Sequence, residues 1–184
     1  QKNIVLMGDI EHLSSVALAA GLDIAFKSFD PTANLSAEKC SVWAIDWQIM
    51  PLVGQPDPRN ATTIVDSIEQ AVKQVKQGHF SGMVTNPIAK SVLYEHGFEF
   101  PGHTEFLAAL DKPESFPVMM LANSALRVVP LTIHIPLSDV EETITPNLFK
   151  RSIKILDTAL RQYFNCPFPR IAIAGLNPHA GEDG

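Results

Sequence analysis

Two histidines stand in motifs that could gather a metal ion: His134 in Leu131-Thr132-Ile133-His134-Ile135-Pro136-Leu137, and His179 in Leu176-Asn177-Pro178-His179-Ala180-Gly181-Glu182. Each lies where an apolar, strand-like run gives way to turn residues, and the carboxyl ends of strands are where an open α/β fold collects its ligand-binding groups. Two imidazoles from adjacent strand ends could share a divalent ion, with the second ring nitrogen of each held by an acceptor behind it. Their separation of 45 residues fits one strand-helix-strand unit. Catalytic zinc commonly takes three protein ligands and keeps one position open, so a further ligand is expected from elsewhere. A packed, structural role stays open for His134, because alternation along its strand does not say which face the ring takes.

A third motif, Pro101-Gly102-His103-Thr104-Glu105-Phe106-Leu107, reads as a helix start with His103 or Thr104 at the cap. The first turn of a helix carries free N–H groups and the positive end of the dipole, a seat for phosphate or carboxylate. The plainer reading of the same residues is a variant of the capping box. Lys90 could lend its charge to the same anion, or simply be solvated. His12, His79 and His96 lie on or beside polar helix ends and are expected to face solvent.

The chain has 184 residues, 46% hydrophobic and 18% charged, enough to bury an ordinary core in one or two α/β domains. A net charge of -6, with 14 scattered Lys and Arg residues, argues against nucleic acid as a partner. Cys40 and Cys166 lack metal or redox spacing and are expected to be reduced, packed thiols. No run approaches the roughly 20 apolar residues that span a bilayer, and no basic-then-apolar leader precedes Ile4, so the expected setting is the cytoplasm, away from membranes. Asn60-Ala61-Thr62 has the form of a glycosylation sequon but reads better as a helix cap.

The elements that must position these residues follow a βαβ rhythm. Strands are expected at Asn3–Met7, Ser41–Trp47, Gly82–Thr85 and Ile171–Ala174, with Val118–Ala122 and Leu126–His134 as an antiparallel pair. Helices are expected over Glu11–Ala20, over Asn60–Gln77, and from a Thr145 cap with Pro146 in the first position. In the second of these, Ile64, Val65, Ile68, Ala71, Val72 and Val75 share one face.

Thr85-Asn86-Pro87-Ile88-Ala89-Lys90, Gly102-His103-Thr104-Glu105-Phe106, Leu121-Ala122 through Arg127, Thr132 through Leu137, Ile144-Thr145-Pro146 and Gly175 through Glu182 follow one another in an order and spacing that resembles the 4-hydroxythreonine-4-phosphate dehydrogenase family. The similarity is clearest from Gly82 onward. It implies an α/β fold of the isocitrate and isopropylmalate dehydrogenase type, an α/β/α sandwich that is incomplete here. Residues 1–101 would belong to a first α/β domain and 102–184 to a second. It also implies a homodimer with a shared active site, NAD or NADP as cofactor, and a divalent metal, whether zinc, magnesium or cobalt. His134 and His179 would be metal ligands, and His103 and Thr104 would bind a phosphorylated hydroxy-acid substrate.

The implied reaction is oxidation of the secondary alcohol of 4-phosphooxy-L-threonine followed by loss of carbon dioxide, a step of pyridoxal phosphate biosynthesis. Within the class the alternative is a sibling acting on phospho-threonate, phospho-erythronate or a ring diol. Outside it, the alternative is an inactive ligand-binding or oligomerising module. The family's opening Gly-Asp-Pro-Ala-Gly-Ile-Gly turn is not matched by Gly8-Asp9-Ile10, and its third metal histidine and remaining basic ligands would follow Gly184. The resemblance therefore implies a part of a longer enzyme, inactive by itself.

Overall fold

The computed structural model describes residues 4–32, 39–112 and 114–182, and the chain divides into two compact units, 1–115 and 116–184. In the first unit, β1 (Val5–Gly8), α1 (Ile10–Ala19), β2 (Phe26–Ser28) and β3 (Cys40–Ala44) form a three-stranded parallel sheet in the order β1-β3-β2. Val5 stands opposite Ser41, and Phe26 opposite Cys40. α1 carries the chain from β1 to β2, the two strands that flank β3 and run parallel to it. Asp9 starts α1 by accepting the His12 N–H at 2.7 Å, and Gly21 takes the chain out of the helix at φ 69°. The edge strand β2 has no counterpart among the expected elements, because Phe26-Lys27-Ser28 is too short to show a period.

Three helices follow: α2 (Ala61–Lys76), α3 (Lys90–Tyr94) and α4 (His103–Asp111). The apolar face read from the sequence is the one α2 buries. Ala61 and Ile68 pack with Val92 and Leu93 of α3, Phe98 of the following loop and Phe106 of α4 in one cluster, flanked by half-buried Ile64 and Val65. This core fixes the position of α4. Asn60, expected to cap α2, does something else. It is buried, and its side-chain amide accepts the Ile49 N–H at 3.1 Å and donates to the Ile49 carbonyl at 2.6 Å, copying a strand pairing across the loop. Capping falls instead to Asp57, which accepts the Arg59 N–H at 2.9 Å at the start of a short 3-10 turn, Pro58–Asn60. The neighbouring Arg59 guanidinium holds the Asp57 carboxyl at about 2.

The second unit holds β4 (Leu121–Ala122) and β5 (Arg127–Val128), an antiparallel hairpin, then α5 (Val140–Thr143) and α6 (Pro146–Tyr163). Asn123 builds the turn, its side-chain oxygen accepting from the N–H groups of Ala125 and Leu126 at 2.8 Å each. Thr145 caps α6 by accepting the Leu148 N–H at 3.2 Å, with Pro146 at the first helical position, as its sequence dictates.

Several expectations need correction. The hairpin has the expected direction, but each strand is only two residues long, so His134 lies beyond β5 rather than at its end. Gly82–Thr85 and Ile171–Ala174, expected as buried strands, pair with nothing among the described residues; Val84 is 100% exposed and Ile173 62%. A parallel strand exists only between neighbours, and an apolar run states that it suits burial without supplying the ladder. His179 accordingly sits in a turn. Cys40 is exposed rather than packed, and His12 is half-buried rather than solvent-facing. Among the described residues no helix is long and apolar enough to cross a membrane.

Candidate functional site

Helix α4 presents the most developed binding feature of the first unit. Phe98 meets Phe106 edge-on at 5.1 Å and Phe100 at 5.4 Å between ring centres, and the Tyr94 hydroxyl reaches the Pro101 carbonyl at 3.5 Å. These contacts tie α3, the loop and the start of α4 into one block. The cap of α4 is Gly102, in extended conformation and without a side chain to offer, where His103 or Thr104 was expected. The first backbone bond closes only at Phe106, whose N–H reaches the Gly102 carbonyl at 3.2 Å. The N–H groups of His103, Thr104 and Glu105 therefore point out of the helix end without intrahelical partners.

His103 and Thr104 are both half-buried at this end. The Nε2 atom of His103 is shut off from solvent and has no hydrogen-bond partner among the described residues. Such an atom costs about 1–3 kcal/mol until something pairs with it. At the other end of α4, Lys76 donates to the carbonyls of Leu110 and Asp111 at 3.2 and 2.5 Å. The Asp111 carboxyl is lowered from its ordinary value, chiefly by the Ser115 hydroxyl. A cation thus answers the negative end of the dipole, while the positive end has no side-chain cap.

In the second unit, His134 is exposed and holds φ 57°, a left-handed conformation. That region costs a residue other than glycine roughly 1–2 kcal/mol, and residues held there concentrate at ligand sites. His179 lies in a turn drawn together by Asn177, whose side-chain oxygen accepts the His179 N–H at 2.9 Å, and by Gly181 at φ 94°. Its Nδ1 pairs with Glu182 Oε1 at 2.7 Å, both side chains being exposed. A carboxylate accepting from Nδ1–H fixes the ring orientation and leaves the Nε2 lone pair free, the arrangement that metal-bound histidines commonly have. Glu182 was part of the sequence motif but carried no assigned role. Its signal is the three-residue spacing from His179 across the turn glycine.

The structure brings His103 and Thr104 together on α4, and His179 together with Glu182. Among the described residues no group of three or more His, Cys, Asp or Glu side chains is placed to hold a metal ion. By its chemistry His179, an imidazole with a carboxylate behind it, is a borderline ligand of the kind zinc and its neighbours take.

Residues 1–184 match the family model of the pyridoxal phosphate biosynthetic protein PdxA. A 4-hydroxythreonine-4-phosphate dehydrogenase of Methylorubrum extorquens is 43% identical over 192 residues, covering 97% of this chain and 54% of the relative. That of a Ruegeria species is 48% identical over 152 residues, covering 82% and 46%. Among solved structures, a 4-hydroxythreonine-4-phosphate dehydrogenase from Burkholderia phymatum superposes with a TM-score of 0.83 at 28% identity, over 100% of this chain and 56% of that one. The chain spans about half the length of the relatives it matches.

Proposed function

As this chain belongs to the family of the pyridoxal phosphate biosynthetic protein PdxA, we propose that the protein is an NAD- or NADP-dependent, metal-assisted dehydrogenase of 4-phosphooxy-L-threonine, acting in pyridoxal phosphate biosynthesis as a cytoplasmic homodimer. The observation that carries the reading is the α4 N-terminus: a glycine cap, three outward N–H groups and the unpartnered ring nitrogen of His103. In this reading these N–H groups, with His103 and Thr104, receive the phosphorylated substrate. Backbone N–H groups at a helix start point at a bound anion, and the positive end of the dipole favours its charge.

His134 and His179 are the proposed ligands of a divalent ion, zinc, magnesium or cobalt. When bound, such an ion polarises the alcohol oxygen and stabilises negative charge on it. The reaction balances as loss of hydride from the alcohol carbon to the nicotinamide and of the hydroxyl proton to solvent, giving a β-keto acid that then releases carbon dioxide. The chain's own residues orient: α4 fixes the phosphate end, and Glu182 holds the His179 ring. Two α/β domains belong to the same proposal, read from the sequence as 1–101 and 102–184, with the compact units dividing instead after residue 115 because α4 packs in the first core.

The test is the initial rate of reduced-nicotinamide formation by the full-length protein with a divalent ion, run in parallel on 4-phosphooxy-threonine, phospho-threonate and phospho-erythronate. Turnover of the first above the others is expected. Preference for either sibling substrate moves the assignment within the class, and no turnover of any of the three overturns it.

A further inference from the structure

We propose that Lys90 is a further substrate-binding residue, whose ammonium joins the α4 amides in holding the phosphate; this rests on the reading that α4 seats the phosphorylated substrate. A Cβ built on Gly102 would lie 3.6 Å from Lys90 Nζ and 3.7 Å from its Cε. The ammonium therefore lies over the glycine cap itself, so close that a single methyl group on Gly102 would touch it. Glu105 Oε2 lies 3.6 Å from the same point. Lys90 is exposed, and among the described residues it forms no ion pair, with Glu105 or with any other carboxylate.

The placement is built rather than incidental. Lys90 is the first residue of α3, whose next turn is anchored by buried Val92 and Leu93 in the core that also holds Phe106 of α4. The N–H groups of Val92 and Leu93 both reach the Ala89 carbonyl, at 3.1 and 3.3 Å. Lysine acts on phosphate as a compact point charge, and the N–H groups of α4 supply direction. The two together answer a dianion that the helix end alone, worth about half a charge, does not balance.

The experiment uses the full-length protein with Lys90→Gln, Lys90→Arg and Gly102→Ala. KM for 4-phosphooxy-threonine, Ki for inorganic phosphate as a competitor, KM for the nicotinamide cofactor and the melting temperature are measured for each. For Lys90→Gln the expected result is a rise of about ten-fold or more in both KM and Ki, the size of one lost charge-assisted bond, with cofactor KM and melting temperature unchanged. Lys90→Arg should recover most of the loss. Gly102→Ala meets only ordinary contacts, so it should fold, and its methyl group should weaken phosphate in the same way. A folded Lys90→Gln or Gly102→Ala with unaltered KM and Ki overturns the proposal. So does a melting-temperature loss in Lys90→Gln with no change in Ki, which would make Lys90 a structural partner of Glu105. Should the wild type fail to turn over the substrate, the proposed function falls by itself, and calorimetric titration of wild type and Lys90→Gln with inorganic phosphate still decides the role of Lys90: weaker binding supports it, equal binding overturns it.

Discussion

Glu182 is the residue on which the metal reading turns most sharply. Its carboxylate lies 2.7 Å from Nδ1 of His179 in an exposed turn, where an ordinary ion pair contributes little to stability. Its value is then in aiming the ring, and Glu182→Gln should leave the melting temperature where it is. Metal affinity should fall about 10–100-fold, the usual effect of losing the acceptor behind a ligating histidine, as read by competition with a chromophoric chelator. Unchanged affinity would mean that His179 is not a ligand held by this partner. The turns that carry His134 and His179 were legible from the sequence, because Asn177-Pro178-His179-Ala180-Gly181 and Ile133-His134-Ile135-Pro136 are turn chemistry at the end of apolar runs. The left-handed backbone of His134 was not, since histidine is only modestly enriched in that region and no glycine stands at the position to announce it.

At the scale of elements, Asn60 shows how a correct residue can carry a different task. A helix does begin where the asparagine stands, but the side chain reaches the loop at Ile49 and satisfies both of its backbone groups. Asn60→Ala takes both partners from the Ile49 backbone and empties the buried space of the Asn60 side chain, and urea unfolding should show a loss of about 2–4 kcal/mol with an unchanged m-value. A loss near the few tenths to 2 kcal/mol typical of a cap would restore the capping role. The long helices were readable because 3.6-residue periodicity is local: α2 and α6 both fall within two residues of their expected starts. Strands were readable only where their partners lie among the described residues. Val5–Gly8 and Cys40–Ala44 pair with each other, whereas Gly82–Thr85 and Ile171–Ala174 carry the same apolar composition and find no ladder. Pairing is a long-range property, and composition reports only suitability for it.

Over the whole molecule, the fold class was legible from alternation of strand and helix, and the superposition on a 4-hydroxythreonine-4-phosphate dehydrogenase agrees with it at a TM-score of 0.83. Val84, Phe168, Ile173 and Leu176 are exposed in runs whose composition suits burial. Unpaired apolar edges attract other chains, so residues 1–184 expressed alone should bind an apolar dye and self-associate in light scattering, and should reduce no nicotinamide with 4-phosphooxy-threonine. A monodisperse, active monomer of these residues would show that the site needs nothing more. The central claim is that the protein oxidises a phosphorylated hydroxy acid with a metal held at His134 and His179. Its most direct test is the initial rate of reduced-nicotinamide formation by the full-length protein, measured as prepared, after complete chelation, and after return of a divalent ion. The account predicts that turnover disappears on chelation and returns with the ion in the wild type, but does not return in His179→Ala. Turnover that persists in metal-free protein, or that the ion restores equally well to His179→Ala, would contradict it.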